Sequence, residues 1–143
     1  MRRQRAVRRN GETNPVTILI LIALAAAGFY GYHVAPVYMD NMEAKGAVEQ
    51  AWNVYWLEGE KNAKDKLLIR LNEKGVGNHL VVDENGVESW QSGLGINPDN
   101  VTIDESNGKL TVRVTYDRVI QFDPLKKRKT FHIVAEKVGK RAQ

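Results

Sequence analysis

Hydrophobic and polar residues are patterned in three different ways along this chain. Val16–Ala35 (VTILILIALAAAGFYGYHVA) has no period at all: 20 consecutive residues carry no formal charge. At about 1.5 Å per residue a helix of that length covers about 30 Å, the hydrocarbon thickness of a bilayer. From Met39 to Leu57 the apolar residues Ala44, Ala47, Val48, Ala51, Trp52, Tyr55 and Trp56 recur every three or four positions, which predicts an amphipathic helix ended by Glu58-Gly59. A second amphipathic helix is expected over Asn62–Lys74, with Ala63, Leu67, Leu68 and Leu71 on one face and Gly75 as its C-cap. Pro36 is expected to end or kink the first helix, because proline brings no amide hydrogen and clashes with the preceding turn.

Beyond Gly77 the period becomes two. Leu80–Val82 and Val87–Gln91 read as short strands around Asn85-Gly86, and Ser92–Asn100 reads as loop. The strongest local signal is Val101–Glu105, the turn Asn107-Gly108, then Lys109–Phe122, since Asn-Gly accepts positive φ at both positions of a two-residue hairpin. Leu110, Val112, Val114 and Tyr116 alternate with polar residues and predict one buried face. Val119-Ile120 interrupts that pattern, so a bulge or strand exit is expected near Arg118. Asp123-Pro124 turns the chain, and Lys129–Glu136 returns with Phe131, Ile133 and Ala135 inward.

The expected fold is therefore α+β: an N-terminal transmembrane helix, then two amphipathic helices packed on an antiparallel sheet of three to five strands. Residues 1–14 form a basic cytoplasmic tail, 15–36 the transmembrane helix, and 37–143 an extracytoplasmic α+β domain large enough for one core. Asn14 is a candidate N-cap, with Pro15 at the first helical position. Trp52 and Trp56, one helical turn apart, are expected to anchor the helix on the sheet.

Charge refines the picture. Arg2, Arg3, Arg5, Arg8 and Arg9 precede the apolar segment against one acid, Glu12, whereas Asp40 and Glu43 follow it before the first lysine, Lys45. This asymmetry is the topogenic signal for a cytoplasmic N-terminus and an external C-terminal domain at the bacterial inner membrane. The pI of about 9.4 arises from that tail, and nucleic acid is not an expected partner. Residues 36–123 hold nine Lys/Arg against fifteen Asp/Glu, and residues 124–143 hold seven against Glu136 alone. The basic run Lys126–Lys129 and the tail Lys137–Arg141 read as solvated cations or as contacts to anionic headgroups or an acidic partner.

Within the apolar segment Ala23, Ala27, Gly31 and Ala35 fall on one helical face, the pattern that lets a second helix approach closely. They are the helix-packing candidates, for a protein partner or a second copy. Phe29, Tyr30, Tyr32 and Tyr38 form an aromatic belt at the outward end, and His33 is read as an interfacial residue rather than a proton relay. A cleavable leader is the competing reading, since Ala25-Ala26-Ala27 is a permissible cleavage pattern. The apolar run through Phe29, Tyr30 and Val34 favours retention, and both readings place the domain outside the cytoplasm.

Candidate chemistry is sparse. The chain has no cysteine, which bears on no particular redox compartment. His33, His79 and His132 are far apart, Gly75-Val76-Gly77 lacks the third glycine of a dinucleotide loop, and Ser89, Ser92 and Ser106 lie in no nucleophile elbow. Asp83-Glu84 and Asp104-Glu105 flank expected turns. The expectation is no catalytic residue, no cofactor and no metal: a non-enzymatic, membrane-anchored interaction or structural subunit of an envelope complex.

The basic tail, the single apolar helix, Val34-Ala35-Pro36-Val37-Tyr38 leading into an amphipathic helix, and the strand segment Val114-Thr115-Tyr116 resemble an uncharacterised family of small bacterial single-span membrane proteins, known as a domain of unknown function. That resemblance implies an inner-membrane location and an extracytoplasmic domain. The plan is also similar to type IV pilins and pseudopilins, and Ala35-Pro36-Val37-Tyr38 supports the comparison. Yet Gly11 is followed by Glu12 rather than phenylalanine, and no glutamate lies inside the apolar stretch. A pilin-like subunit of a filament or secretion machine is the alternative function.

Overall fold

In the computed structural model, residues 14–122 and 126–140 are described. The five N-terminal arginines and the Asp123-Pro124 turn lie outside the described residues. The chain is α+β and divides into two compact units, with the boundary after Tyr32.

Helix α1 spans Pro15–Glu58, 44 residues, and begins as the sequence suggests: Pro15 is its first residue, and the Asn14 Oδ1 accepts a 3.0 Å hydrogen bond from the Val16 amide. In its first part Val16, Ile18, Leu19, Ile20, Leu21, Ile22 and Leu24 are 44% to 66% exposed. This part meets the length and composition required of a membrane span.

The helix does not end at Pro36, and the two predicted helices are one. A proline inside a helix costs about 3 kcal/mol or more, so the flanking turns must be held by something else. Immediately after Pro36 a stripe of Val37, Asp40, Ala44, Ala47, Val48, Ala51 and Val54 becomes buried, and this packing offsets the missing amide. Helix α1 ends at Glu58, where Gly59 takes φ 88°.

Helix α2 (Glu60–Leu71) buries Ala63, Leu67 and Leu71, the face read from the sequence. It stops earlier than expected, and the C-cap is Asn72 rather than Gly75. The Asn72 side chain explains the exit. Its Nδ2 donates to the Ile96 carbonyl at 2.8 Å and its Oδ1 accepts from the Ile96 amide at 2.9 Å, which clamps the helix end to the loop after β2.

The strands form two antiparallel sheets instead of one. β1 (Asn78–Val82) pairs with β2 (Glu88–Ser92), and β3 (Val101–Ser106), β4 (Lys109–Phe122) and β5 (Lys127–Gly139) form a meander in the order β3-β4-β5. Every residue of β2 is exposed, and β1 is half-buried only at His79, Leu80 and Val81. The Asn107-Gly108 turn closes as expected, with φ of 54° and 68° and Ser106 opposite Lys109.

The expected bulge near Arg118 does not occur. Pairing between β4 and β5 is unbroken from Leu110 opposite Gly139 to Phe122 opposite Lys127. The inward positions run Leu110, Val112, Val114, Tyr116, Arg118 and Ile120, so the alternation continues with a charged residue in the buried row. These side chains join Ile133 and Ala135 of β5 and the stripes of α1 and α2 in one core. Trp52 anchors α1 as expected, its Nε1 donating to the Leu110 carbonyl at 3.2 Å, and it sits edge-on to Trp56 with ring centroids 5.9 Å apart.

Leu71 has no exposed surface whereas Ile69, two residues earlier, is 66% exposed. Leu71→Ala is expected to destabilise the fold by about 3 kcal/mol and Ile69→Ala by less than about 1 kcal/mol, read as urea-midpoint shifts at constant slope.

Candidate functional site

The one buried charge pair among the described residues links α1 to β4. Asp40 stands in the apolar stripe of α1, and Arg118 stands in the inward row of β4; both side chains are 9% exposed. Arg118 Nε donates to Asp40 Oδ2 at 2.8 Å, and its Nη1 donates to both the carbonyl and the side-chain oxygen of Asn78, at the start of β1. One guanidinium therefore joins a helix, the three-stranded sheet and the two-stranded sheet. An isolated charge at this depth would be costly, and the pairing with shared donors makes it tolerable.

Gly77 completes the enclosure. At φ +61° a Cβ there would lie 2.6 Å from Leu94 Cδ2 and 3.0 Å from the Asp40 carboxylate, so glycine alone permits this approach. Pro36, Met39, Met42, Val76 and Asn78 line an adjoining cavity of about 470 Å³, with Asp40 and Arg118 in its wall.

Beside the pair lies the Tyr116 hydroxyl, buried and without a hydrogen-bond partner among the described residues. Burial raises its pKa to about 12; the Asp40 carboxylate adds to that rise, and the Arg118 guanidinium opposes it. The neutral phenol is the form that this environment holds. Nothing in the cluster pairs a nucleophile with a base, and every strong charge in it is already engaged. The geometry fixes α1, β1 and β4 in one register.

Ala23, Ala27, Gly31 and Ala35 are all exposed on α1, spaced one helical turn apart. The topogenic candidates Arg2, Arg3, Arg5, Arg8 and Arg9 lie outside the described residues. His33 is half-buried and stacks on Phe122 with centroids 5.3 Å apart. His79 Nδ1 is 2.9 Å from the Gly93 carbonyl, and His132 Nδ1 is 2.7 Å from Asp117 Oδ1 on the outer face of the sheet. The three histidines thus have three different local partners.

In the sequence Asp40 figures only as a flanking charge and Arg118 only as the mark of an expected bulge, with no connection between them, because each looks like a surface residue by type. A signal was nevertheless there: each occupies a core position of its own periodic pattern, one on a helix and one on a strand. Comparison with family models, curated proteins and solved structures finds no match for this chain.

Two outcomes follow from this geometry. Asp40→Ala is expected to cost about 3 to 5 kcal/mol because it strands the Arg118 charge, while the double variant Asp40→Leu/Arg118→Met recovers most of that loss in denaturant melts. The Tyr116 phenol ionises near pH 10 when unfolded and near 12 when folded, so the unfolded chain holds fewer protons between those values. Stability contributed by Tyr116 is therefore full below pH 10 and lost as pH rises through 12, on the order of 2 kcal/mol. Tyr116→Phe is expected to remove this component from the difference between the two alkaline denaturation curves.

Proposed function

We propose that this chain is a non-enzymatic, single-pass membrane protein of the bacterial envelope. Its N-terminus is cytoplasmic, its α+β domain is extracytoplasmic, and it serves as an interaction or structural subunit of a membrane complex. The observation that carries the reading is the first part of α1, an uncharged segment whose large apolar side chains are exposed in the isolated chain. Exposing so much contiguous apolar surface to water is unfavourable, and lipid removes the cost. The five arginines before the segment support the orientation. The exposed row Ala23, Ala27, Gly31 and Ala35 supports a helix partner in the bilayer, either another protein or a second copy.

A second reading, a pilin-like (pseudopilin-type) subunit of a filament or secretion machine, is favoured by the continuity of α1. One helix runs from the apolar segment through Pro36 into the core of the folded domain.

The experiment is fractionation followed by crosslinking in cells. The full-length chain is expected to stay with membranes through alkaline carbonate washing and to yield a crosslinked species that Ala27→Ile/Gly31→Ile reduces about fivefold, on the order of 1 kcal/mol. Recovery of the intact chain from the soluble fraction overturns the anchor. A monomer without crosslinked partners overturns the subunit role, and recovery in sheared filaments transfers support to the pilin-like reading.

A further inference from the structure

Four consecutive cations, Lys126, Lys127, Arg128 and Lys129, stand at the tip of the β4–β5 hairpin, all of them exposed. Register places Lys127 opposite Phe122 and Arg128 opposite Gln121. The Phe122 ring stacks on His33, with centroids 5.3 Å apart and planes inclined by 30°. His33 belongs to the last turn of the uncharged Val16–Ala35 segment. Through that ring contact and chain connectivity alone, the hairpin tip is held near the point where the apolar segment ends. Paired antiparallel residues have Cα atoms about 5 Å apart, so the Lys127 backbone is one strand spacing from the residue that touches His33.

We infer that the tip of the β4–β5 hairpin is a docking surface for anionic lipid headgroups. The inference rests on the membrane-anchored reading above, which puts the end of the apolar segment at headgroup level. Headgroups occupy a layer roughly 5 to 8 Å deep on each side of the hydrocarbon, and charges attract across a Debye length of about 8 Å at physiological salt. Lysine stems are long enough to place their ammonium groups in that layer while the backbone stays above it.

Local chemistry ranks the four cations. Arg128 is held by Glu88 of β2 through Nη1 at 2.8 Å and Nη2 at 2.5 Å, and this hydrogen bonding lowers the Glu88 pKa below its ordinary value. Lys129 Nζ lies 4.8 Å over the Phe131 ring. Lys126 and Lys127 therefore lead the contact. The opposite sign of the remaining domain makes the contact directional. Residues 36–123 carry more acid than base, so an anionic surface attracts the tip while it repels that remainder.

The test uses the full-length chain, which has no cysteine and so accepts a single spin label through Thr130→Cys, an exposed position beside the tip. The protein is placed in lipid nanodiscs doped with a nickel-chelating headgroup lipid, with or without phosphatidylglycerol. Relaxation of the label by nickel is expected to rise about threefold when phosphatidylglycerol is present. It should return to the zwitterionic value in about 1 M salt, where the Debye length is about 3 Å, and in Lys126→Gln/Lys127→Gln/Lys129→Gln. Relaxation that ignores lipid charge, salt and the triple variant, in protein that remains in the disc, overturns the lipid contact and leaves the anchor intact. Loss of the label from the nickel lipid only on adding an acidic protein overturns it in favour of a protein ligand. Escape of the chain from the disc overturns the anchored reading itself and this inference with it.

Discussion

Helix α1 is governed by a change of solvent requirement along its length. Up to Tyr32 its side chains are uncharged on every face and exposed, and from Val37 onward a single stripe is buried. The same backbone must therefore satisfy two surroundings, and the change falls at Pro36, where the helix is intrinsically weakest. Packing of Val37, Ala44, Ala47, Val48 and Ala51 into the core supplies what the proline removes. The rest of the domain is arranged around that stripe: β4 lies beneath it, α2 lies beside it, and Trp52 fastens its far end to the Leu110 carbonyl.

The Asp40–Arg118 pair lies at the near end of this packing and adds specificity to it. Apolar contacts are non-directional and by themselves say less about which turn of the helix meets β4. A buried carboxylate accepts no such shift, since only one position meets Arg118 and, through it, Asn78. Gly77 reinforces the choice, since a Cβ there would lie 3.0 Å from the carboxylate. Buried pairs of this sort contribute little net stability, and register is the role their geometry best explains.

Much of the fold was legible in the sequence. The Asn107-Gly108 hairpin, the inward rows of β4 and β5, the buried face of α2 and the proline start of α1 follow from local rules of φ preference and periodicity. What misled was context. Pro36 reads as an end or a kink because a helix considered alone has no packing to offset it, and Val119-Ile120 reads as a break because two apolar neighbours considered alone both belong inside, whereas only Ile120 is buried. The separation of β1 and β2 from the larger sheet was hidden for a related reason: Glu88–Ser92 holds one large apolar residue, Trp90, among polar ones, and strand pattern alone does not say which edge a hairpin leaves free. The two members of the buried pair are 78 residues apart, and no local rule connects them.

That same separation has a kinetic side. The β3-β4-β5 meander is built from neighbours in sequence and assembles as soon as its last strand is made. The amphipathic part of α1 is synthesised first and must wait for β4. At ordinary ribosomal speeds of about 5 to 20 residues per second, the 78 residues between Asp40 and Arg118 correspond to roughly 4 to 16 s. Through that interval the Val37–Val54 stripe has no strand to cover it. A nascent chain of this design gains from a chaperone that shields a helix until the C-terminal third of the polypeptide has emerged.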